Sequence, residues 1–147
     1  MISPFNLRNA LLAKHAQHVV LIHFPIALFT AGVAFDFIAH WTKRSTFAIA
    51  AYYNFVVAAL ATLPVVATGL LAWQFQLEGQ KLKGILLLHL LLGIISSLMI
   101  LLTWNVHFRA RESSDSLPRY RLVIELVGVG VVGITAHLGG FLSGVNM

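Results

Sequence analysis

The chain has 147 residues, of which 59% are hydrophobic and only 10% are charged, and its mean hydropathy is +0.85. Soluble domains carry roughly 25% charged residues, so this composition excludes an ordinary soluble domain and indicates an integral membrane protein. The chain has no cysteine, which excludes disulfides, thiolate metal sites and covalent haem attachment through a Cys-x-x-Cys-His motif.

The ten lysines and arginines give a formal net charge of +5 and are dispersed over several segments. They form no basic stripe with interleaved aromatic residues, so nucleic acid is not an expected partner. We interpret them as charges that face phospholipid headgroups.

The N-terminal stretch "MISPFNLRNALLAKHAQ" lacks the apolar length of a cleavable signal peptide. Ser3 and Pro4 are typical of a helix start, and apolar residues then alternate with polar ones at helical spacing. The pattern predicts a short helix that lies in the membrane interface.

Four later segments are long and apolar enough to cross a bilayer, which takes about 20 residues. They cover approximately residues 18–41, 45–75, 84–107 and 120–143. The second is overlong, and Pro64 is expected to kink or tilt it. Because the connections are short, we predict one all-α domain over residues 1–147, an up-down four-helix bundle in the membrane.

The distribution of cations predicts the orientation of this bundle. Six lie on the side of the first and third connections, and four lie on the side of the termini. We therefore expect a multi-pass membrane protein with both termini outside the cytoplasm, a side that is the periplasm for a bacterial inner membrane. The six are Lys43, Arg44, Arg109, Arg111, Arg119 and Arg121; the four are Arg8, Lys14, Lys81 and Lys83.

The stretch "GVGVVG" in the last span matches the spacing of a dinucleotide-binding fingerprint at Gly128, Gly130 and Gly133. No strand is predicted before it and it lies inside a membrane span, so we interpret these glycines as sites of close helix packing. Space for a flat cofactor is the alternative.

Histidines from three spans are predicted to share one depth. His23 lies about five residues into the first span, His89 about five into the third, and His137 about six from the end of the fourth. Each is therefore about 8–9 Å deep, with His18 nearer the headgroups. Each histidine taken alone could hydrogen-bond to a Ser or Thr side chain or to a backbone carbonyl. Histidines at the same depth on separate spans instead favour one shared ligand.

Haem b suits this layer best, because it needs two axial imidazoles facing each other across an apolar slot. We expect His23 and His89 as the axial ligands, with His18 and His137 as alternates or supporting hydrogen-bond donors. Zinc prefers four ligands, and the nearest carboxylate is Glu78 in a connection. A catalytic zinc with three histidines stays open.

A second layer is suggested by His40 and His107, which end the first and third spans. His107 follows His89 by eighteen residues, or five full turns, so the two share a side of their helix. They could ligate a second haem, but contact with headgroups is the favoured interpretation.

Two carboxylates fall within spans, Asp36 and Glu125. Such groups are candidates for a proton path or a quinone site. The favoured interpretation is ion pairing, of Asp36 with Lys43 or Arg44 and of Glu125 with Arg121 four residues before it.

The chain resembles a group of bacterial membrane proteins, the domain-of-unknown-function 2231 family, over nearly its whole length. The resemblance is carried by His18-x4-His23-Phe24-Pro25-Ile26, Asp36, Thr68-Gly69-x3-Trp73, His89 and Gly139-Gly140. Val19 and Ala72 stand where the family tends to have Pro and Asp, and the tail "FLSGVNM" lacks the usual Tyr and His. The resemblance implies a four-helix membrane module, at times joined to redox domains such as Rieske proteins.

These features predict a b-type cytochrome or anchor subunit that passes electrons between a partner redox protein and the quinone pool. It would be an electron-transfer subunit of a larger oxidoreductase rather than a stand-alone enzyme, with lipids, other subunits and quinone as partners. A cofactor-free structural subunit of a respiratory or photosynthetic complex is the alternative. Metal transport or a zinc-dependent membrane enzyme comes third.

Overall fold

The computed structural model describes residues 14–75, 77, 79–113 and 116–143, and the regular secondary structure among them is all α-helix. Four helical stretches there have the length and hydropathy of membrane spans, which confirms the predicted fold class. The interfacial helix predicted before residue 14 lies outside the described residues. The helices are α1 Lys14–Leu21, α2 His23–Thr42, α3 Ser45–Phe75, α4 Gly84–Glu112 and α5 Arg121–Leu142.

The first span, Gln17–Thr42, consists of α2 and most of α1, with a one-residue break between the two helices at Ile22. Pro25 explains the break, because proline has no N–H and its ring crowds the carbonyl four residues earlier, here that of Leu21. The Ile22 N–H still donates to the His18 carbonyl at 3.0 Å, so the chain continues in the same direction.

Two helices are longer than a bilayer needs. α3 is continuous through Pro64, and its 31 residues span about 46 Å against a hydrocarbon core of about 30 Å. α4 continues five residues past its predicted end at His107, to Glu112. Both must tilt or extend into the headgroup layer.

The four long helices form a ring. α2 packs on α3, α4 packs on α5, and contacts of α3 with α4 and of α2 with α5 close the bundle, while α1 lies against α3. α2 and α4 are therefore diagonal to each other. This is the arrangement expected of an up-down bundle with short connections.

Two phenylalanines fill the bundle at about mid-length. Phe29 and Phe55 are fully buried, with ring centroids 5.9 Å apart. Each faces a glycine of a neighbouring helix: a Cβ on Gly32 would lie 2.7 Å from the Phe55 ring, and one on Gly128 would lie 2.8 Å from the Phe29 ring. This apolar layer separates a polar group at one end of the bundle from a set of histidines at the other.

Candidate functional site

Four ionisable side chains meet inside the bundle at the end where α2 and α4 finish and α5 begins. Asp36 comes from α2, His107 from α4, and Arg121 and Glu125 from α5. Their exposed fractions are 1%, 4%, 6% and 0% respectively. We call these four residues the ionisable cluster; ionisable groups so deep inside membrane spans are costly unless they are paired.

Asp36 and Arg121 form an ion pair across the α2–α5 contact. The Arg121 Nε donates to Asp36 Oδ2 at 2.8 Å, and Nη2 donates to Oδ1 at 3.4 Å. Nη1 donates to the carbonyls of Leu117 and Pro118, in the connection before α5. The predicted pairing of Asp36 with Lys43 or Arg44 is therefore wrong. Both oxygens of the Asp36 carboxylate accept hydrogen bonds from the Arg121 guanidinium instead.

His107 and Glu125 pair across the α4–α5 contact, with His107 Nε2 2.9 Å from Glu125 Oε1. The Phe55 ring packs on His107 at a centroid distance of 4.7 Å. The interfacial position expected for His107 is wrong, because α4 continues past it and buries it. The expected pairing of Glu125 with Arg121 is also wrong, because the guanidinium turns to Asp36. With Nε2 engaged in this way, we propose no second haem at His40 and His107.

The cluster has one negative charge to neutralise. Two ionised carboxylates and one guanidinium sum to −1, and a single proton on the His107–Glu125 pair makes the cluster neutral. Glu125 Oε2 and, one turn before His107, Thr103 Oγ1 are buried and have no hydrogen-bond partner among the described residues. The Glu125 carboxyl thus has one oxygen on His107 and one without a partner, an arrangement that is costly for a buried charge.

The same residues have the chemistry of a metal site. Asp36, His107 and Glu125 can each offer a ligand atom, and these atoms lie within 4.8 Å of one another. Carboxylate oxygen and imidazole nitrogen both bind divalent metals. However, Arg121 already donates to both oxygens of Asp36, so a metal ion would have to compete with a fixed positive charge. A proton needs no such rearrangement.

At the opposite end of the bundle, two histidines lie in notches between helices. His18 Nδ1 is 3.2 Å from Thr68 Oγ1, and its ring lies 3.0 Å from where a Cβ on Gly69 would be. His89 Nδ1 donates to the Thr135 carbonyl at 3.1 Å, and its ring lies 3.1 Å from the corresponding position on Gly139. Glycine on the neighbouring helix thus makes room for each imidazole.

The other predicted histidines are less enclosed. His23 is exposed and its Nδ1 donates to the Val19 carbonyl at 2.7 Å. His137 is exposed and packs edge-on against Phe141, with centroids 4.9 Å apart. His40 is partly buried near the end of α2. The axial pairing of His23 with His89 stays a prediction.

Sequence reasoning missed Arg121 as the partner of Asp36 and His107 as the partner of Glu125. The sequence does contain a signal for the pairing of His107 with Glu125. The connection between α4 and α5 is short, so residues near the end of α4 lie beside residues near the start of α5. His107 is five residues before the end of α4, and Glu125 is four residues after the start of α5.

Comparison with known proteins matches the chain to one family. The family described as predicted membrane protein (DUF2231) matches residues 14–145. No curated protein and no solved structure is significantly similar to the chain. The matched range includes both the ionisable cluster and the histidines at the other end of the bundle.

Proposed function

We propose that this chain, which belongs to the DUF2231 family of predicted membrane proteins, takes up and releases protons inside the bilayer, at the ionisable cluster. The observation that carries this proposal is the burial of four ionisable side chains from three membrane-spanning helices around one shared position. Ionisable residues inside spans are rare and typically mark proton relays or ion paths.

Each pair in the cluster has a separate role in this proposal. Asp36 and Arg121 form a pair of fixed charge, since a guanidinium does not lose its proton in proteins. The exchangeable proton then belongs to the other pair, where it is held by His107 Nε2 or by Glu125 Oε1, two atoms 2.9 Å apart. Glu125 lies about 6 Å along the axis from the start of α5, so exchange takes place with the nearer membrane face.

Infrared spectroscopy tests the proposal on the full chain reconstituted in lipid vesicles. A carboxyl C=O band should rise and fall with pH in the parent protein and be lost in Glu125→Gln, which keeps the shape and a polar contact with His107. Glu112→Gln is the matched control, because Glu112 is exposed at the end of α4. A band unchanged by Glu125→Gln would overturn the proposal.

Electron transfer through haem b is the second candidate. It is supported by the Nδ1 atoms of His23 and His89, which both lie at hydrogen-bond distance from a backbone carbonyl. A carbonyl only accepts, so Nδ1 carries the hydrogen and a neutral ring keeps its Nε2 lone pair for iron. We propose His89 with His23 or His18 as axial ligands and His137 as an alternate.

Such a subunit would pass electrons between a partner redox protein and the quinone pool. Haem would supply the one-electron step. Reduction of a quinone consumes protons as well as electrons, so proton exchange at the ionisable cluster is compatible with this role. In both proposals the protein is a multi-pass component of the bacterial inner membrane.

An absorption spectrum and a haem assay on protein purified from its native membrane test the second candidate. Haem bands should be present, should be lost in His89→Ala, and should persist in Lys83→Ala, which removes an exposed charge just before α4. A colourless protein would exclude haem. Metal analysis of the same sample would then separate a zinc protein from a cofactor-free structural subunit.

A further inference from the structure

A groove of about 390 Å³ runs along the outer side of α4 toward the connection that leads to α5. It lies on a different side of α4 from His107, which points into the bundle. Neither the proposed proton exchange nor haem binding uses this groove. It is lined by apolar and polar residues near the end of α4 and, in the connection, by Ser116, Pro118 and Tyr120.

Two parallel rows of side chains line the groove, each with a spacing of four residues, which keeps them on one helix side. One row is apolar and the other is polar. From the first to the last of these positions α4 rises about 16 Å, close to half the thickness of the hydrocarbon core. The apolar row is Leu102, Val106 and Ala110, and the polar row is Asn105, Arg109 and Ser113.

Arg109 is the charged residue of the groove, and its guanidinium is unpaired within the described part of the chain. Two other arginines at this end of the bundle are engaged: Arg121 binds Asp36, and Arg111 lies 4.6 Å from the centroid of the Tyr52 ring. Arg109 instead is exposed in the last turn of α4. Because the 29 residues of α4 span about 43 Å, this turn reaches the depth of lipid headgroups.

We propose that this groove binds one anionic phospholipid. The lipid phosphate contacts Arg109, whose planar guanidinium matches a phosphate with two parallel hydrogen bonds, and Asn105 adds a polar side chain beside it. One acyl chain lies along Leu102, Val106 and Ala110. Charge complementarity and the paired apolar and polar rows favour an amphipathic anion over a water-soluble one.

Native mass spectrometry of the full chain in a neutral detergent tests the site, with phosphatidylglycerol as the probe. One lipid should bind more tightly than the rest. Arg109→Gln should weaken that binding about fivefold, the effect expected from loss of one cation near an anionic headgroup. Lys83→Gln, which removes an exposed cation at the other end of α4, should leave it unchanged.

Two further arms distinguish the possible sources of the phosphate group. Phosphatidylcholine should bind more weakly than phosphatidylglycerol, and inorganic phosphate should not compete. Val106→Trp keeps Arg109 and blocks the apolar row, so it should also weaken lipid binding, with thermal melting used to verify that both variants fold. Equal losses in Arg109→Gln and Lys83→Gln, or full competition by inorganic phosphate, would overturn the proposal.

Discussion

At the scale of single residues, this protein is defined by how its buried charges are paired. Each pair joins residues from different helices: Asp36 of α2 with Arg121 of α5, and His107 of α4 with Glu125 of α5. A buried pair contributes little net stability over apolar packing, but removal of one partner leaves an uncompensated charge. The cluster therefore constrains how three helices assemble.

Asp36→Ala should lower the free energy of unfolding by about 3–5 kcal/mol, because it leaves the Arg121 guanidinium buried without a counter-charge. The double variant Asp36→Ala with Arg121→Met should recover most of that loss, since it removes both charges. Reversible unfolding in mixed detergent micelles measures both effects. A double variant no more stable than Asp36→Ala would show that the pair itself, and not the orphaned charge, provides the stability.

Among the helices, some glycines allow two spans to approach closely, whereas others face open space. Gly128 faces the Phe29 ring, whereas Gly130 and Gly133 have open space where a Cβ would be. The interpretation of "GVGVVG" as helix packing thus applies to its first glycine. The other two lie on the exposed side of α5.

Gly128→Ala should destabilise the bundle by about 1–3 kcal/mol, because the added methyl must displace a fully buried aromatic ring. Gly133→Ala, on the same helix, should be neutral or slightly stabilising, since alanine is the better helix former and meets no neighbour. Comparing the unfolding of the two variants isolates packing from helix propensity. Equal effects would mean that Phe29 can move without cost.

At the scale of the whole molecule, polar residues lie at both ends of the bundle and an apolar layer lies between them. The cation count predicts which end faces the cytoplasm. The ionisable cluster lies at the end with six cations, so the proposed proton exchange would take place on the cytoplasmic side in the predicted orientation. The histidines then lie on the periplasmic side.

The absence of cysteine makes this orientation easy to measure. We expect a membrane-impermeant maleimide to label Lys81→Cys in intact spheroplasts and to label Arg44→Cys only after the membrane is opened. Both positions are exposed in connections at opposite ends of the bundle. The reverse pattern would invert the orientation and move the cluster to the periplasmic side.

Hydropathy and span length are local properties, so the sequence alone shows four segments that are long and apolar enough to cross a membrane. It also identified Asp36 and Glu125 as unusual, because a carboxylate in an apolar run is visible without a structure. It could not identify their partners. The ion pairs predicted from nearness in sequence are wrong, both for Asp36 with Lys43 or Arg44 and for Glu125 with Arg121.

Those partners depend on the packing of the bundle, since the rotation of each helix determines which side chains meet. Asp36 and Arg121 are 85 residues apart, and the α2–α5 contact brings them to 2.8 Å. The sequence places His107 at the headgroups because Phe108 and Arg109 follow it, whereas long cationic side chains let α4 continue into the headgroup layer. Burial of His107 therefore followed from helix length and packing together.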